Sequence, residues 1–465
     1  MGKHKFPHGS DSDDTSEERR FDVRSPRPSY KRGKEMEKIN VGLIGFGTVG
    51  VGVARALLEK SAQLERQVGA RIVLKAICDK EFRRKRNIKV NKKLLTTDVN
   101  KILGNPDIDV VVELMGGIHP AREFILKAIK SGQHVVTANK ALLSESGEEI
   151  FEAAKKAGVE IFFEASVGGG IPIIKSLREG LVANEIDTIL GIVNGTSNYI
   201  LSSMAAEGLS FSDALLEAKK KGYAERNPSL DIEGRDSAHK LAILTLLGFG
   251  KAVKPADIYV EGILDISQND IKYAEEFGYS VKLLAIAKNV DGELEVRVHP
   301  TLLSKEHLLS SVDGVYNAIY VHGDMIGGAL FYGRGAGQGP AASSVVSDIV
   351  DLARDLRFNS VGRVPIYMKN RSIKKIRRID EIEARYYIRI SCIDKPGVLA
   401  KVAGILGRHK ISISSVGQKE RKKARIVPVV LMTHEAKERN MRQALEEIDK
   451  LSAIRRKTVA IRVER

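Results

Sequence analysis

The chain contains no tryptophan, two cysteines and only 5% aromatic residues across 465 positions. Each scarcity removes a class of protein. Cys78 and Cys392 lie far apart inside apolar, strand-like runs, so there is no disulfide framework and a reducing, cytoplasmic setting is expected. No window offers the ~18 continuous apolar residues of a membrane helix, and residues 1–38 are polar with no apolar signal core. No membrane partner is expected, and that tail is expected to be disordered. Positive charge is abundant: 75 Lys and Arg against 59 Asp and Glu give +16. The basic runs at Arg83–Arg86, Lys374–Arg378 and Arg421–Lys423 are scattered, with no recognition motif and few aromatics to stack on bases. No nucleic-acid partner is expected.

At 43% hydrophobic content and this length, two or three domains with sizeable cores are expected. Residues 39–166 alternate strand and helix, which predicts a doubly wound α/β unit of the Rossmann type. An apolar strand from Lys38 runs into a glycine loop, Gly45, Gly47 and Gly50, and then a helix from Val51. That order supplies a tight turn, close backbone approach to a pyrophosphate and a helix N-terminus facing the anion. A second strand, Arg71–Cys78, ends at Asp79, which suits a ribose diol, while Lys80 and the arginines beyond suit a 2′-phosphate. NAD and NADP both stay open. The buried-type strands Ile108–Leu114 and His134–Asn139 follow, and Lys140 lands just past the second, on the ligand-binding edge.

Over 167–361 the order becomes mixed, which predicts an α+β domain with a largely antiparallel sheet; 362–384 reads as a basic linker. From 385 to 465 the order β-α-β-β-α-β predicts a ferredoxin-like unit.

The most concentrated chemistry is GYAERNPSLDIEGRDSAHK, Gly222–Lys240, which halts at the apolar run Leu241–Leu247. Asp231 is the expected N-cap and Gly248 the expected C-cap of a helix on which Asp236 and Lys240 share a face. Such a pair is either a surface ion pair or a site. A lysine exchanges protons near neutrality only if its pKa falls from about 10.4, through burial or a second cation such as Lys140. Glu225 and Asp236 would pull it upward, and the sequence leaves that balance open.

Taken in order, GLIGFGTVG, VVELMGG, TANKALL, EASVGGGIPII, NGTSNYIL, the Gly222–Lys240 segment and YGRGAGQGPAAS resemble the homoserine dehydrogenases over roughly residues 39–460. The resemblance implies reversible, NAD(P)-dependent interconversion of L-homoserine and L-aspartate 4-semialdehyde, on the way to threonine and methionine, in a homodimer. It implies Lys240 as proton donor and acceptor, with Lys140 and Asp236 beside it, and Glu225, Asp231, Asp236, Gly222 and Tyr223 around the substrate. For the cofactor it implies Gly45, Phe46, Gly47, Thr48, Val49, Gly50, Asp79, Lys80, Gly116, Lys140 and Gly337. It further implies a monovalent cation, Na+ or K+, on the backbone carbonyls of Glu164, Val167, Gly169 and Ile171.

The C-terminal unit resembles an ACT domain through DKPGVLAKVAGIL, Asp394–Leu406, which implies an amino-acid effector, most naturally threonine. Two readings compete. One is another Rossmann oxidoreductase with an ACT tail; the other is a regulator that binds NAD(P) and an amino acid without turnover.

Overall fold

The computed structural model describes residues 37–82, 86–369, 372–418 and 426–464. The tail expected over 1–38 lies outside them as far as residue 36, as do the basic residues at 83–85 and 421–423; Lys38 already opens the first strand. No helix among the described residues is long and apolar enough to cross a membrane.

Six strands, β1 (Lys38–Ile44), β2 (Arg71–Cys78), β3 (Leu95–Thr96), β4 (Val110–Glu113), β5 (His134–Thr137) and β6 (Ile161–Phe162), form a parallel sheet in the order β3-β2-β1-β4-β5-β6. Every residue of β4 and of β5 is buried, as a sheet covered by helices on both faces requires. The strand order reverses between β1 and β4, which opens a crevice at their C-terminal ends.

The middle of the chain supplies β7 (Ile186–Ile192), β8 (Tyr259–Val260), β9 (Tyr279–Val290), β10 (Glu293–Ser304), β11 (Tyr316–Gly323) and β12 (Gly327–Arg334). The hairpin of β9 and β10 is its spine. It turns at Asp291-Gly292, both at positive φ (56° and 78°), the twist that a two-residue hairpin loop needs.

The C-terminal segment adds β13 (Lys375–Ile376), β14 (Glu383–Ile393), β15 (Ile413–Gln418), β16 (Ile426–Thr433), β17 (Ala436–Lys437) and β18 (Ile454–Glu464), with helices Val398–Arg408 and Glu438–Asp449 sharing one core. Its last strand does not stay within it. β18 runs parallel to β10, Thr301 opposite Arg462 and Leu303 opposite Glu464, so one sheet continues as β12-β11-β7-β9-β10-β18-β14-β16-β15. The stretch expected as a linker over 362–384 is packed along the same strand: β13 pairs with β10, Arg377 bridges Glu293 and Glu295 at 3.1 Å each, and Ile373 and Ile382 are buried.

Two buried arginines fasten this junction. Arg389 of β14 grips Asp270 at 2.6 and 3.0 Å, and the Tyr387 hydroxyl donates to the same carboxylate at 3.1 Å. Arg462 of β18 reaches Glu438 at 2.6 and 2.8 Å and Glu261 at 2.8 Å. Helix Gln338–Arg357 meanwhile returns the chain to the first sheet, where it packs so closely on helix Thr48–Glu59 that a Cβ on Gly52 would lie 2.8 Å from that of Ala342.

Asp270 is 0% exposed, so a charge left there without its arginine is costly. Arg389→Met is expected to lower stability by about 3–5 kcal/mol, seen as a lower urea midpoint. The double variant Asp270→Asn/Arg389→Met should lose less than the single one; an equal loss would mean that packing, not the orphaned charge, sets the cost.

Candidate functional site

The residues of Gly222–Lys240 do meet at one point, though the local structure departs from the sequence expectation in two places. Asp231 is not the N-cap: it belongs to its own short turn, Ser229–Ile232, and helix Arg235–Phe249 is capped by Gly234 at φ +84°. Gly234 must turn left-handed because the preceding turn ends there, which pushes the helix start past Asp231. Gly248 is not the C-cap either; Gly250, at φ +62°, is. Gly248 lies inside the helix because a Cβ there would stand 2.6 Å from Ile189 of β7.

The helix presents Asp236 and Lys240 as a contact of 2.6 Å. Lys140, at the start of helix Lys140–Ala157, reaches the other oxygen of Asp236 at 2.9 Å. Asn139 places it, capping the helix through its side-chain oxygen and donating to the Gly117 carbonyl at 2.7 Å. One carboxylate thus holds two lysines.

Lys240 is 8% exposed and donates its second N–H to the Val193 carbonyl at 2.6 Å. Its third has no partner among the described residues. Burial pushes its pKa down and Lys140 adds to that, against the pull of Asp236. Lys140, with 42% of its side chain exposed, goes the other way: burial lowers its pKa, but Asp236, Asp231 and Glu225 together raise it. Burial raises the Asp236 pKa, yet the two lysines win and hold it well below the usual carboxylate range. Two lysines on one carboxylate are so driven apart, Lys240 downward and Lys140 upward.

Asn194 was quoted in sequence only as part of a motif, yet it is in the cluster: its amide donates to Asp231 at 2.7 Å and to Asp236 at 2.9 Å. His239, also not singled out, receives or donates a hydrogen bond with the Ser144 hydroxyl at 2.7 Å, a second tie between the two lysine-bearing helices. Glu225 and Gly222 are exposed at the mouth; Tyr223 stands edge-on to Tyr199 at 5.0 Å.

The glycine loop lies at the C-terminal edge of the same sheet, and its three glycines do different work. A Cβ on Gly45 would sit 2.6 Å from the Leu114 carbonyl and one on Gly50 2.1 Å from the Gly45 carbonyl, so both are closed by backbone. Gly47 faces open space. Helix Thr48–Glu59 starts there with no side-chain cap, leaving the amides of Thr48, Val49 and Gly50 to an anion. This fits a dinucleotide.

The sequence model of "Homoserine dehydrogenase" matches residues 172–350, that of "Homoserine dehydrogenase, NAD binding domain" residues 45–164, and that of the ACT domain residues 386–453. The homoserine dehydrogenase of Neisseria gonorrhoeae is 43% identical over 432 residues, 92% of this chain and 99% of that protein. That of Bacillus subtilis is 38% identical over 433 residues, 92% and 99%. The chain belongs to the homoserine dehydrogenase family. Among solved structures, the Thiobacillus denitrificans homoserine dehydrogenase superposes with a TM-score of 0.86 at 42% identity, over 93% of this chain and 99% of that one. A hyperthermophilic archaeal homoserine dehydrogenase in complex with NADPH gives 0.57 at 28%, over 68% and 97%.

For a member of this family the cofactor shell is now legible: a Rossmann-type NAD-binding domain, a catalytic domain and a C-terminal ACT domain, in an oxidoreductase that takes a nicotinamide cofactor. Asp79 accepts the Phe46 amide at 2.6 Å, so it fastens the loop itself. Arg86 donates to the Phe46 carbonyl at 2.7 Å, lies 4.9 Å above that ring and 3.5 Å from Asp79. Lys80 is exposed. Gly116, at φ +78°, faces open space, and Gly337, at φ +114°, precedes Gln338, whose side chain donates to the Thr48 carbonyl at 3.0 Å. The carbonyls of Glu164, Gly169 and Ile171 each accept one hydrogen bond within the chain, Gly169 from Ser344 at 2.7 Å.

The two kinds of glycine give a sharp contrast. Gly47→Val should leave the melting temperature within about 3 °C of the parent while weakening NADH or NADPH binding about tenfold or more in a fluorescence titration. Gly50→Ala should lower the melting temperature as well, and a stable Gly50→Ala protein would show that the loop yields.

Proposed function

We propose that this chain reversibly reduces L-aspartate 4-semialdehyde to L-homoserine with NADPH or NADH, that Lys240 exchanges the alcohol proton, and that its ACT domain takes threonine as inhibitor. The observation that supports the reaction best is Lys240 itself: buried, lowered in pKa, and held by Asp236 beside Lys140. In the oxidising direction the neutral Lys240 amine takes the hydroxyl proton as the C–H hydride leaves; in reverse its ammonium returns that proton to the aldehyde oxygen. The nicotinamide, when bound, accepts or supplies the hydride. Lys140 steadies negative charge on the reacting oxygen. Glu225, Asp231 and the free lone pair of Asp236 Oδ1, near Gly222 and Tyr223, take the substrate's ammonium. Asp79 suits the ribose diol of NAD, and Lys80 and Arg86 the 2′-phosphate of NADP. Backbone oxygens at Glu164, Val167, Gly169 and Ile171 keep lone pairs for Na+ or K+. The sheet ends on β12 and β15, strand edges that a second copy can cover in a homodimer, and the two buried free cysteines suit the cytoplasm.

For the effector, a cavity of about 300 Å³ lies at Asp394–Gly397, lined also by Cys392, Gln418 and Val429, a volume at the lower end for small-molecule sites. Gly397, at φ +84° with open space at its Cβ, lets backbone approach a zwitterion. Removing the ACT unit would strip β18 from β10, so threonine binding is tested on the whole chain.

Lys240→Ala is expected to lower turnover about a hundredfold or more with cofactor affinity unchanged, followed through nicotinamide absorbance with homoserine or aspartate semialdehyde. Because the lysine must be neutral to act as base, homoserine oxidation should rise with pH through a limb below the ordinary lysine value, and that limb should vanish in the variant. Near-parental turnover would remove Lys240 from the mechanism. Calorimetry of the intact chain with threonine should show saturable heat; none for threonine or another amino acid of the same pathway would leave the ACT domain an assembly module.

A further inference from the structure

Asn194 stands two residues beyond β7 and is almost wholly buried. Its side chain makes three hydrogen bonds. The oxygen accepts the Ser197 amide at 2.9 Å and so caps helix Gly195–Glu207, while the amide nitrogen gives one bond to Asp231 and one to Asp236. The flip of the amide is fixed by these partners, because a reversed group would set oxygen against two carboxylates and nitrogen against an N–H. A helix cap needs only the oxygen, and serine or aspartate would serve equally well. The nitrogen is surplus to that task.

What the nitrogen does follows from its partners. Asp231 and Asp236 come from different elements, a turn and a helix, and converge on one donor group. Two carboxylates converging without a donor repel, and one of them takes up a proton or moves away. The groups facing this point are Asp231 from the turn, Asp236, His239 and Lys240 from the helix, Lys140 from the helix beyond β5, and Glu225 from the mouth. With both lysines charged, Asp231, Asp236, Lys140 and Lys240 sum to zero. A third lysine or arginine between the carboxylates would break that balance, whereas an amide joins them without adding charge. Asp236 Oδ2 then receives Asn194 on one side and Lys240 on the other, and the Val193 carbonyl, next to Asn194 in the chain, takes the second Lys240 proton.

We propose that Asn194 is a positioning residue: its amide nitrogen holds Asp231 and Asp236 together as carboxylates and thereby fixes the direction of the remaining Lys240 proton. This rests on the dehydrogenase reading above and adds to it a residue that touches no reacting atom. It separates two roles in one side chain, cap through oxygen and charge-neutral bridge through nitrogen.

Two variants separate those roles. Asn194→Asp keeps the shape and the cap but exchanges the bridge for a third carboxylate. Its melting curve reports the cap, and its pH profile reports the bridge. The added negative charge favours the protonated lysine, so the limb for homoserine oxidation should move to higher pH by about one unit, with turnover down about tenfold or more at neutral pH. Asn194→Ser keeps a cap, adds no charge and removes the bridge; homoserine KM should rise about tenfold with cofactor affinity unchanged and a melting temperature close to the parent. If the Asn194→Asp limb stays in place and the Asn194→Ser KM stays within about twofold, Asn194 is a helix cap only and the proposal falls. An Asn194→Asp protein too unstable to assay leaves the Asn194→Ser KM to decide alone. Should the parent chain itself fail to turn over homoserine, the dehydrogenase reading fails and this one with it; an active parent with unmoved variants overturns only the role of Asn194.

Discussion

One carboxylate holding two lysines is the constraint around which the catalytic half of this structure is arranged. Asp236 is buried, and an isolated charge in that position would cost several kcal/mol. It survives because Lys240, one helical turn along, and Lys140, from a different domain of the fold, arrive on separate oxygens. The first partner is supplied by helix periodicity alone. The second requires that the parallel sheet end its fifth strand next to the site helix, and the Asn139 cap, the Gly117 contact and the Ser144–His239 bond all serve that approach. The geometry of the nucleotide domain is thus written into the protonation of a lysine in the next domain.

A similar logic of buried charge joins the ACT unit to the rest. Arg389 and Arg462 leave their own strands to neutralise Asp270 and Glu261, and β18 completes the main-chain hydrogen bonding of β10. An unpaired β10 edge together with orphaned carboxylates would be a heavy penalty, so the ACT domain is a structural part of the catalytic sheet. β10 and segment 259–263 lie directly against it. Gly262 packs there against the turn before the site helix, where a Cβ would come within 2.3 Å of the Ile232 carbonyl. Such a junction has little slack.

The parts of this arrangement that were legible in the sequence are those whose cause is local. Strand and helix alternation, the glycine loop and the Asp236–Lys240 spacing each depend on neighbours within a few residues, and each appears in the structure, although the helix expected from Val51 already begins at Thr48. The contacts that complete the site are not local. Nothing around Asn194 signals that Asp231 and Asp236 will converge on it, and nothing around Arg462 signals Thr301 as its neighbour, because parallel pairing between distant strands leaves no periodic trace. The two misplaced caps have a common origin. Gly248 and Asp231 are residues that commonly cap helices, but Gly248 packs closely on Ile189, and Asp231 is drawn to the Asn194 amide, so tertiary contacts overrode the local preference.

The charge balance of the cluster also bears on when Lys240 becomes a base. With both lysines protonated, Asp231, Asp236, Lys140 and Lys240 cancel, which is the arrangement that burial tolerates best. Removing the Lys240 proton leaves one net negative charge there. On the reading proposed above, homoserine brings an ammonium to Glu225 and Asp231, and this added positive charge near Lys240 favours the neutral amine just when a base is required. The ligand's own charge then takes over part of the neutralisation that the departing proton had supplied. A lysine suits this exchange better than a carboxylate would, since a carboxylate in the place of Lys240 would stand against Asp236 with only Lys140 left to neutralise the pair.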